Sequence, residues 1–249
     1  FILGDDAKMA SVGYDDSDWR KLDLPHDWAV EGDFSADNKS GAGGGALPGG
    51  IGWYRKHFNV GAKDKAERFY IEFDGVYMNS TVYVNGHEVG HRPYGYSSFE
   101  YDITPYIKRG GDNVIAVKVD NSDQPNSRWY SGCGIYRHVW LTKTSNIHVA
   151  HWGTHVVSTA SSDKKAGEMK VAVTISNPTG KAQNVKVRNS VIDREGKHVA
   201  MTMTQAVAND GAVVEQLLNI PNRKLWQLDD PYIYNVKTEV LIGSKVVDT

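Results

Sequence analysis

The chain has 249 residues, with 28 Lys and Arg against 30 Asp and Glu, a formal net charge of −2, and 23% charged against 40% hydrophobic residues. At about 150 residues per domain this length fits one large β fold or two modest globular domains. The balanced charge, without a basic stripe, excludes a general nucleic-acid binder, and no apolar run approaches the roughly 18 residues of a membrane-spanning helix.

In chain order, Asp15 to Leu22 reads as a short helical turn. Gly41 to Gly52 is a glycine-rich stretch read as a mobile loop, long enough to reach a neighbouring domain's cleft. It lacks a phosphate-binding Gly-x-x-x-x-Gly-Lys-Ser/Thr pattern and a following long helix. Phe69, Ile71 and Phe73 alternate onto one face of a strand. Thr81-Val82-Tyr83-Val84 runs into Asn85-Gly86 and then His87-Glu88-Val89, a hairpin signal because a type I′ turn needs two residues at positive φ. Thr104-Pro105-Tyr106-Ile107 before Gly110-Gly111 predicts one helical turn, with Thr as N-cap and Pro at N1. Ile115, Val117 and Val119 form an apolar face opposite Lys118, and Ile135, Val139 and Leu141 form another.

From Ile147 the pattern is purely β: Val171, Val173 and Ile175; Val185 and Val187; Val214, Leu218 and Ile220; Val236, Thr238 and Val240. Turns are supplied by Asn177-Pro178-Thr179-Gly180 and by Asp193 to Gly196. The first 146 residues hold 22 aromatic residues and the remainder only Trp152, Trp226, Tyr232 and Tyr234. That shift predicts two all-β domains. Residues 1–146 suit a jelly-roll β-sandwich, and residues 147–249 suit an immunoglobulin-like β-sandwich without its cysteine pair. Cys133 is the only cysteine, so no disulfide framework is expected. The compartment is not fixed by this; a bacterial periplasmic or secreted setting is preferred to the cytoplasm. The chain opens at Phe1 without a leader pattern, and Lys245 to Thr249 still reads as a strand, so both ends read as cuts.

Glycoside hydrolysis usually needs two carboxylates across the scissile bond. Of the nine glutamates, Glu72, Glu88, Glu215 and Glu239 alternate with apolar neighbours, as solvent-facing strand charges do. His148, His151 and His155 lie close in sequence but without a cysteine or carboxylate at ligand spacing. His87 and His91 follow a hairpin turn, where helical i, i+4 pairing does not apply. No metal site is expected. The densest polar-aromatic cluster runs from Asp120 to Arg137. Its carboxylates, amides, guanidinium and large rings suit sugar hydroxyls and C–H faces. Equally, Trp129 and Tyr130 could anchor a loop into the core, with Arg128 paired to Asp120 or Asp123.

Within that cluster, Arg128-Trp129-Tyr130-Ser131-Gly132-x-Gly134-Ile135-Tyr136-Arg137, followed by Val139-Trp140-Leu141, resembles the end of the N-terminal sugar-binding domain of glycoside hydrolase family 2. Asp16-Ser17-Asp18-Trp19-Arg20 with Leu24-Pro25-His26-Asp27-Trp28 is similar to that domain's opening segment, and Gly52-Trp53-Tyr54-Arg55-Lys56 to its next strand. Phe73-Asp74-Gly75-Val76, Val82-Tyr83-Val84-Asn85-Gly86 and Val89-Gly90 resemble its central hairpin. Leu225-Trp226 with Pro231-Tyr232-Ile233-Tyr234 resembles a marker late in the family's immunoglobulin-like domain.

The resemblance implies a retaining glycosidase of β-galactosidase type acting on a carbohydrate. β-Glucuronidase, β-mannosidase and a stand-alone carbohydrate-binding or adhesion module are the alternatives, and an oligomer stays open. It places both catalytic glutamates in a third domain, a TIM barrel. The barrel motif Asn-Arg-x-x-His-Tyr-Pro and the Asn-Glu pair are absent from this sequence. No catalytic residue and no cofactor are therefore expected within this chain, and it should be inactive alone. In some family galactosidases an asparagine and an aspartate of the first domain reach the sugar pocket. Asp123 is the nearest match to the aspartate, whereas Gly49-Gly50-Ile51-Gly52 stands where the asparagine would be. Asp123, Asn121 and Arg128 are the substrate-binding candidates.

Overall fold

The computed structural model describes residues 1–160 and 167–249. The chain divides into two compact units, Phe1–Lys143 and Thr144–Thr249.

The first unit is a β-sandwich of two antiparallel sheets. Strands β1 (Ile2–Leu3), β2 (Gly50–Val60), β4 (Ser80–Val84), β5 (His87–Arg92) and β7 (Gly111–Asn121) form one sheet in the order β1-β2-β7-β4-β5. Strands β3 (Arg68–Phe73), β6 (Phe99–Asp102) and β8 (Val139–Thr144) form the other in the order β6-β3-β8. Alternation works as expected on β3, where Phe69, Ile71 and Phe73 are all buried between the sheets. The β4–β5 hairpin turns at Asn85 (φ 50°) and Gly86 (φ 82°), the type I′ signature.

Over residues 52–54 strand β2 is buried on both faces, which alternation alone would not predict. Tyr54 points into the main core, while Trp53 packs with Met9, Trp19 and Ala116 under the N-terminal segment. Arg55 lies on that second face, its guanidinium bonded to Asp16 (2.7 Å) and to the carbonyls of Met9 and Ser11. This accounts for a departure from expectation, since Asp15 to Leu22 is not helical. The Asp15 carboxylate accepts the Ser17 N–H (3.1 Å), and Asp16 is held by Arg55 and His57. The 3₁₀ turn Thr104–Tyr106 is present, but Ile103 occupies the cap position. The Thr104 hydroxyl instead bonds the Phe69 backbone on β3. Ile135 is buried yet lies outside β8, and its carbonyl accepts the His26 N–H (2.8 Å).

The second unit pairs the sheet β13-β10-β9 with the sheet β12-β11-β14-β15. Its strands are β9 (His148–Ala160), β10 (Gly167–Ser176), β11 (Gln183–Ile192), β12 (His198–Ala208), β13 (Ala212–Ile220), β14 (Asn235–Ile242) and β15 (Lys245–Asp248). The inward residues foreseen from alternation, among them Val171, Val173, Ile175, Val187 and Leu218, form its core. A polar chain crosses this core: Thr238 Oγ1 donates to Asn189 Oδ1 (2.5 Å), and Asn189 Nδ2 donates to Gln216 Oε1 (2.8 Å). Gln216 Nε2 in turn donates to the Val187 carbonyl (2.9 Å). Each bond satisfies a group that burial would otherwise leave unpaired. Glu239, read as solvent-facing, is instead buried at 7% exposure. It accepts from Arg188, its cross-strand partner on β11, and from Lys237. These bonds hold its carboxyl down at about 2, well below its ordinary value.

Candidate functional site

The candidate site is the loop that leaves β7 at Asn121 and returns to β8 at Val139. Asn121 is its organising residue, only 3% exposed. Its Nδ2 donates to the Gly132 carbonyl (3.1 Å) and to Cys133 Sγ (2.9 Å). Its Oδ1 accepts from Gln124 Nε2 (2.8 Å) and Asn126 Nδ2 (2.6 Å). The amide is thus spent inside the protein and ties both ends of the loop together. Asp120 caps the same turn, accepting from the Ser122 N–H and hydroxyl.

Asp123 and Arg128 point to solvent. The ion pair that would have bound Arg128 to Asp120 or Asp123 does not occur among the described residues. The two rings behave differently. Trp129 is 78% exposed, whereas Tyr130 is half-buried against the core and its hydroxyl donates to Asp27 Oδ2. Burial raises the Tyr130 hydroxyl's pKa and the neighbouring Asp27 carboxylate adds to the effect, so this group stays a donor. Burial also pushes the Cys133 thiol up to about 12, which removes it as a nucleophile.

Sequence reasoning did not single out Asp27. Its Oδ1 accepts the backbone N–H groups of Cys133 (2.8 Å) and Ala29 (3.0 Å) while Oδ2 takes Tyr130. The signal was present in Leu24-Pro25-His26-Asp27-Trp28, but two of Asp27's three partners, Tyr130 and Cys133, are more than a hundred residues away. The glycines of the cluster follow from the same packing. Gly132 (φ 75°) and Gly134 (φ 123°) adopt backbone conformations that disfavour a side chain. A Cβ on Gly134 would lie 2.3 Å from the Tyr54 hydroxyl and 2.7 Å from the His26 carbonyl.

The glycine-rich stretch folds into a hydrogen-bonded turn. A 3₁₀ turn spans Ala42–Gly44, and the buried Ser40 hydroxyl donates to the Leu47 carbonyl (2.7 Å). Gly50 to Gly52 already belong to β2. At Gly49 a Cβ would sit 2.6 Å from the Asn121 carbonyl, and at Gly52 one would meet Trp28 at 2.8 Å. An asparagine side chain therefore has no room at either position. The crevice between this turn and the loop, lined by Ser40, Gly44, Gln124, Asn126 and Trp129, has a volume of about 20 Å³, room for roughly one water. An apolar cleft of about 410 Å³ lies elsewhere in this unit, walled by Tyr54, Phe73, Val117 and Leu141.

Of the histidines, His87 stacks on Tyr106, His91 bonds the Thr81 hydroxyl, and His148 bonds the Ser145 carbonyl. His151 stacks on Trp152, and His155 is exposed.

Residues 47–145 match the family described as glycosyl hydrolases family 2, sugar binding domain, and residues 147–249 match glycosyl hydrolases family 2. The chain belongs to glycosyl hydrolases family 2. Among relatives in this family, a β-galactosidase, BoGH2A, of Bacteroides ovatus is 54% identical over 250 residues, covering 100% of this chain and 29% of that protein. A putative β-glucuronidase of Formosa agariphila is 40% identical, covering 100% of this chain and 23% of the other. The crystal structure of a family 2 member from Bacteroides cellulosilyticus superposes with a TM-score of 0.93 at 37% identity, covering 98% of this chain and 32% of that one. The chain thus spans less than a third of the length of these relatives.

Proposed function

We propose that this chain is the non-catalytic N-terminal portion of a retaining family 2 glycosidase of β-galactosidase type, acting on a carbohydrate substrate. The observation that carries the reading is the loop itself. Its backbone is pinned by Asn121 and Asp27, yet Asp123, Arg128 and Trp129 are left unspent at the surface. Such a loop supplies hydrogen-bonding groups and a ring face to one wall of a sugar pocket completed by another domain. Asp123 and Arg128 would touch the sugar, and Asn121 would position them. Bond cleavage belongs to two glutamates outside this chain, one as nucleophile and one as acid/base.

The 54% identity to a named β-galactosidase supports galactose as the sugar. Against it stands the 40% match to a putative β-glucuronidase, together with the absence of an asparagine from Gly49-Gly50-Ile51-Gly52. In the test, the full-length protein is expected to release nitrophenol from a nitrophenyl β-galactoside faster than from the β-glucuronide, while the 249-residue chain releases none. Turnover by the chain alone, lost on changing one of its own glutamates, would overturn the assignment.

A further inference from the structure

A second aromatic feature adjoins the loop. The turn between β5 and β6 carries Tyr94 and Tyr96, 59% and 52% exposed, with ring centroids 5.8 Å apart and edge-to-face. This turn is pinned rather than loose. The Tyr136 hydroxyl donates to the Gly95 carbonyl (2.8 Å), and the buried Tyr77 ring lies so close to Gly95 that a Cβ there would meet it at 2.2 Å. It is also stitched to the candidate loop. Tyr96 Oη donates to Ser131 Oγ (3.2 Å), Tyr77 packs edge-on against Tyr96, and Tyr77 Oη donates to Asn126 (3.2 Å). The turn with Tyr94 and Tyr96 is therefore joined, through Ser131 and Asn126, to the loop that carries Trp129.

We infer that this surface binds an extended neutral glycan, with Tyr94 and Trp129 offering ring faces to sugars beyond the terminal residue that is cleaved and Tyr96 holding Tyr94 in place. The inference rests on the carbohydrate reading above and adds the substrate class: an oligosaccharide or polysaccharide rather than a small galactoside. Three features support it. Large rings held rigidly in water bind at low ordering cost, because their positions are already fixed. Their faces match the C–H patches of pyranose rings, while the amides and the oppositely charged Asp123 and Arg128 serve hydroxyls without selecting a charged ligand. A one-water crevice excludes a monosaccharide pocket beneath the loop, so affinity must accumulate over several sugars on an open face.

The experiment is calorimetric titration of the 249-residue chain with β-1,4-galactotetraose, cellotetraose and methyl β-galactoside. Heat is expected from at least one tetraose and none from the monosaccharide. Tyr94→Ala and Trp129→Ala, both at exposed positions and checked for an unchanged circular dichroism spectrum, should each weaken tetraose binding by about fivefold or more. No binding of either tetraose, equal affinity for monosaccharide and tetraose, or binding indifferent to both variants overturns the inference. The unmodified chain's dependence on glycan length decides the matter even if a variant fails to fold. If the full-length protein hydrolyses nitrophenyl β-galactoside but the chain binds no tetraose, only this inference falls. Should the chain bind tetraose while the full-length protein hydrolyses nothing, only the catalytic reading falls.

Discussion

The carboxylate of Asp27 accepts the hydroxyl of Tyr130 across 103 residues of chain, joining the opening segment of the first unit to the loop that carries its exposed polar groups. The same carboxylate holds the Cys133 and Ala29 N–H groups. Asp27→Ala would leave three donors without their acceptor, at a cost of about 3 kcal/mol. Tyr130→Phe, which removes one donor and frees one lone pair, should cost about 1 kcal/mol. Urea unfolding followed by tryptophan fluorescence measures both. Equal effects from the two would contradict the role given to Asp27.

Gly134 combines a φ of 123° with backbone pressed on Tyr54 and His26. Gly134→Ala adds overpacking to conformational strain, and the first unit should lose about 3 kcal/mol or more. Gly180, also at positive φ (71°) but with open space around it, serves as the control. Its alanine variant should lose about 1 kcal/mol. A reversed order in thermal denaturation would refute the packing argument.

Cys133 is buried, and burial pushes its thiol up to about 12. At mildly alkaline pH the folded chain should release no thionitrobenzoate from Ellman's reagent. In denaturing guanidinium it should release one equivalent, since the sequence holds a single cysteine. Prompt reaction of the native chain would show that the thiol is reachable and ionised.

Glu239 carries the clearest pH signature. Arg188 and Lys237 hold its carboxyl at about 2, against 4.5 ordinarily. Between those values the unfolded chain binds the extra proton and the native state does not. The stabilisation is therefore fully present above pH 4.5 and is lost as pH falls toward 2. Glu239→Gln should destabilise the second unit by about 2 kcal/mol at neutral pH, leaving two cations side by side. Its deficit relative to the parent should shrink through that acid window. A deficit that stays constant from neutral to acid pH would exclude the pairing as its source.

The local grammar of the chain was readable without coordinates. Alternation at Phe69, Ile71 and Phe73 marks β3, and Asn85-Gly86 marks the β4–β5 hairpin turn, because period-two burial and positive φ are properties of neighbouring residues. The motif around Arg128 to Arg137 marked the family for a similar reason: its glycines are fixed by positive φ and close backbone contact.

What only the tertiary structure decided concerns partners distant in sequence. Asn121 reads from sequence as a sugar-contacting candidate and Asp27 as one residue of a motif, whereas the fold gives the first the two ends of the loop and the second the loop backbone. Glu239 looked like a surface charge until β11 set Arg188 opposite it. Exposure of Trp129 and burial of Tyr130, adjacent in sequence, were set by Asp27 and the core beneath one of them. A side chain's role depends on which groups share its desolvated volume, and that volume is assembled from segments as far as about a hundred residues apart.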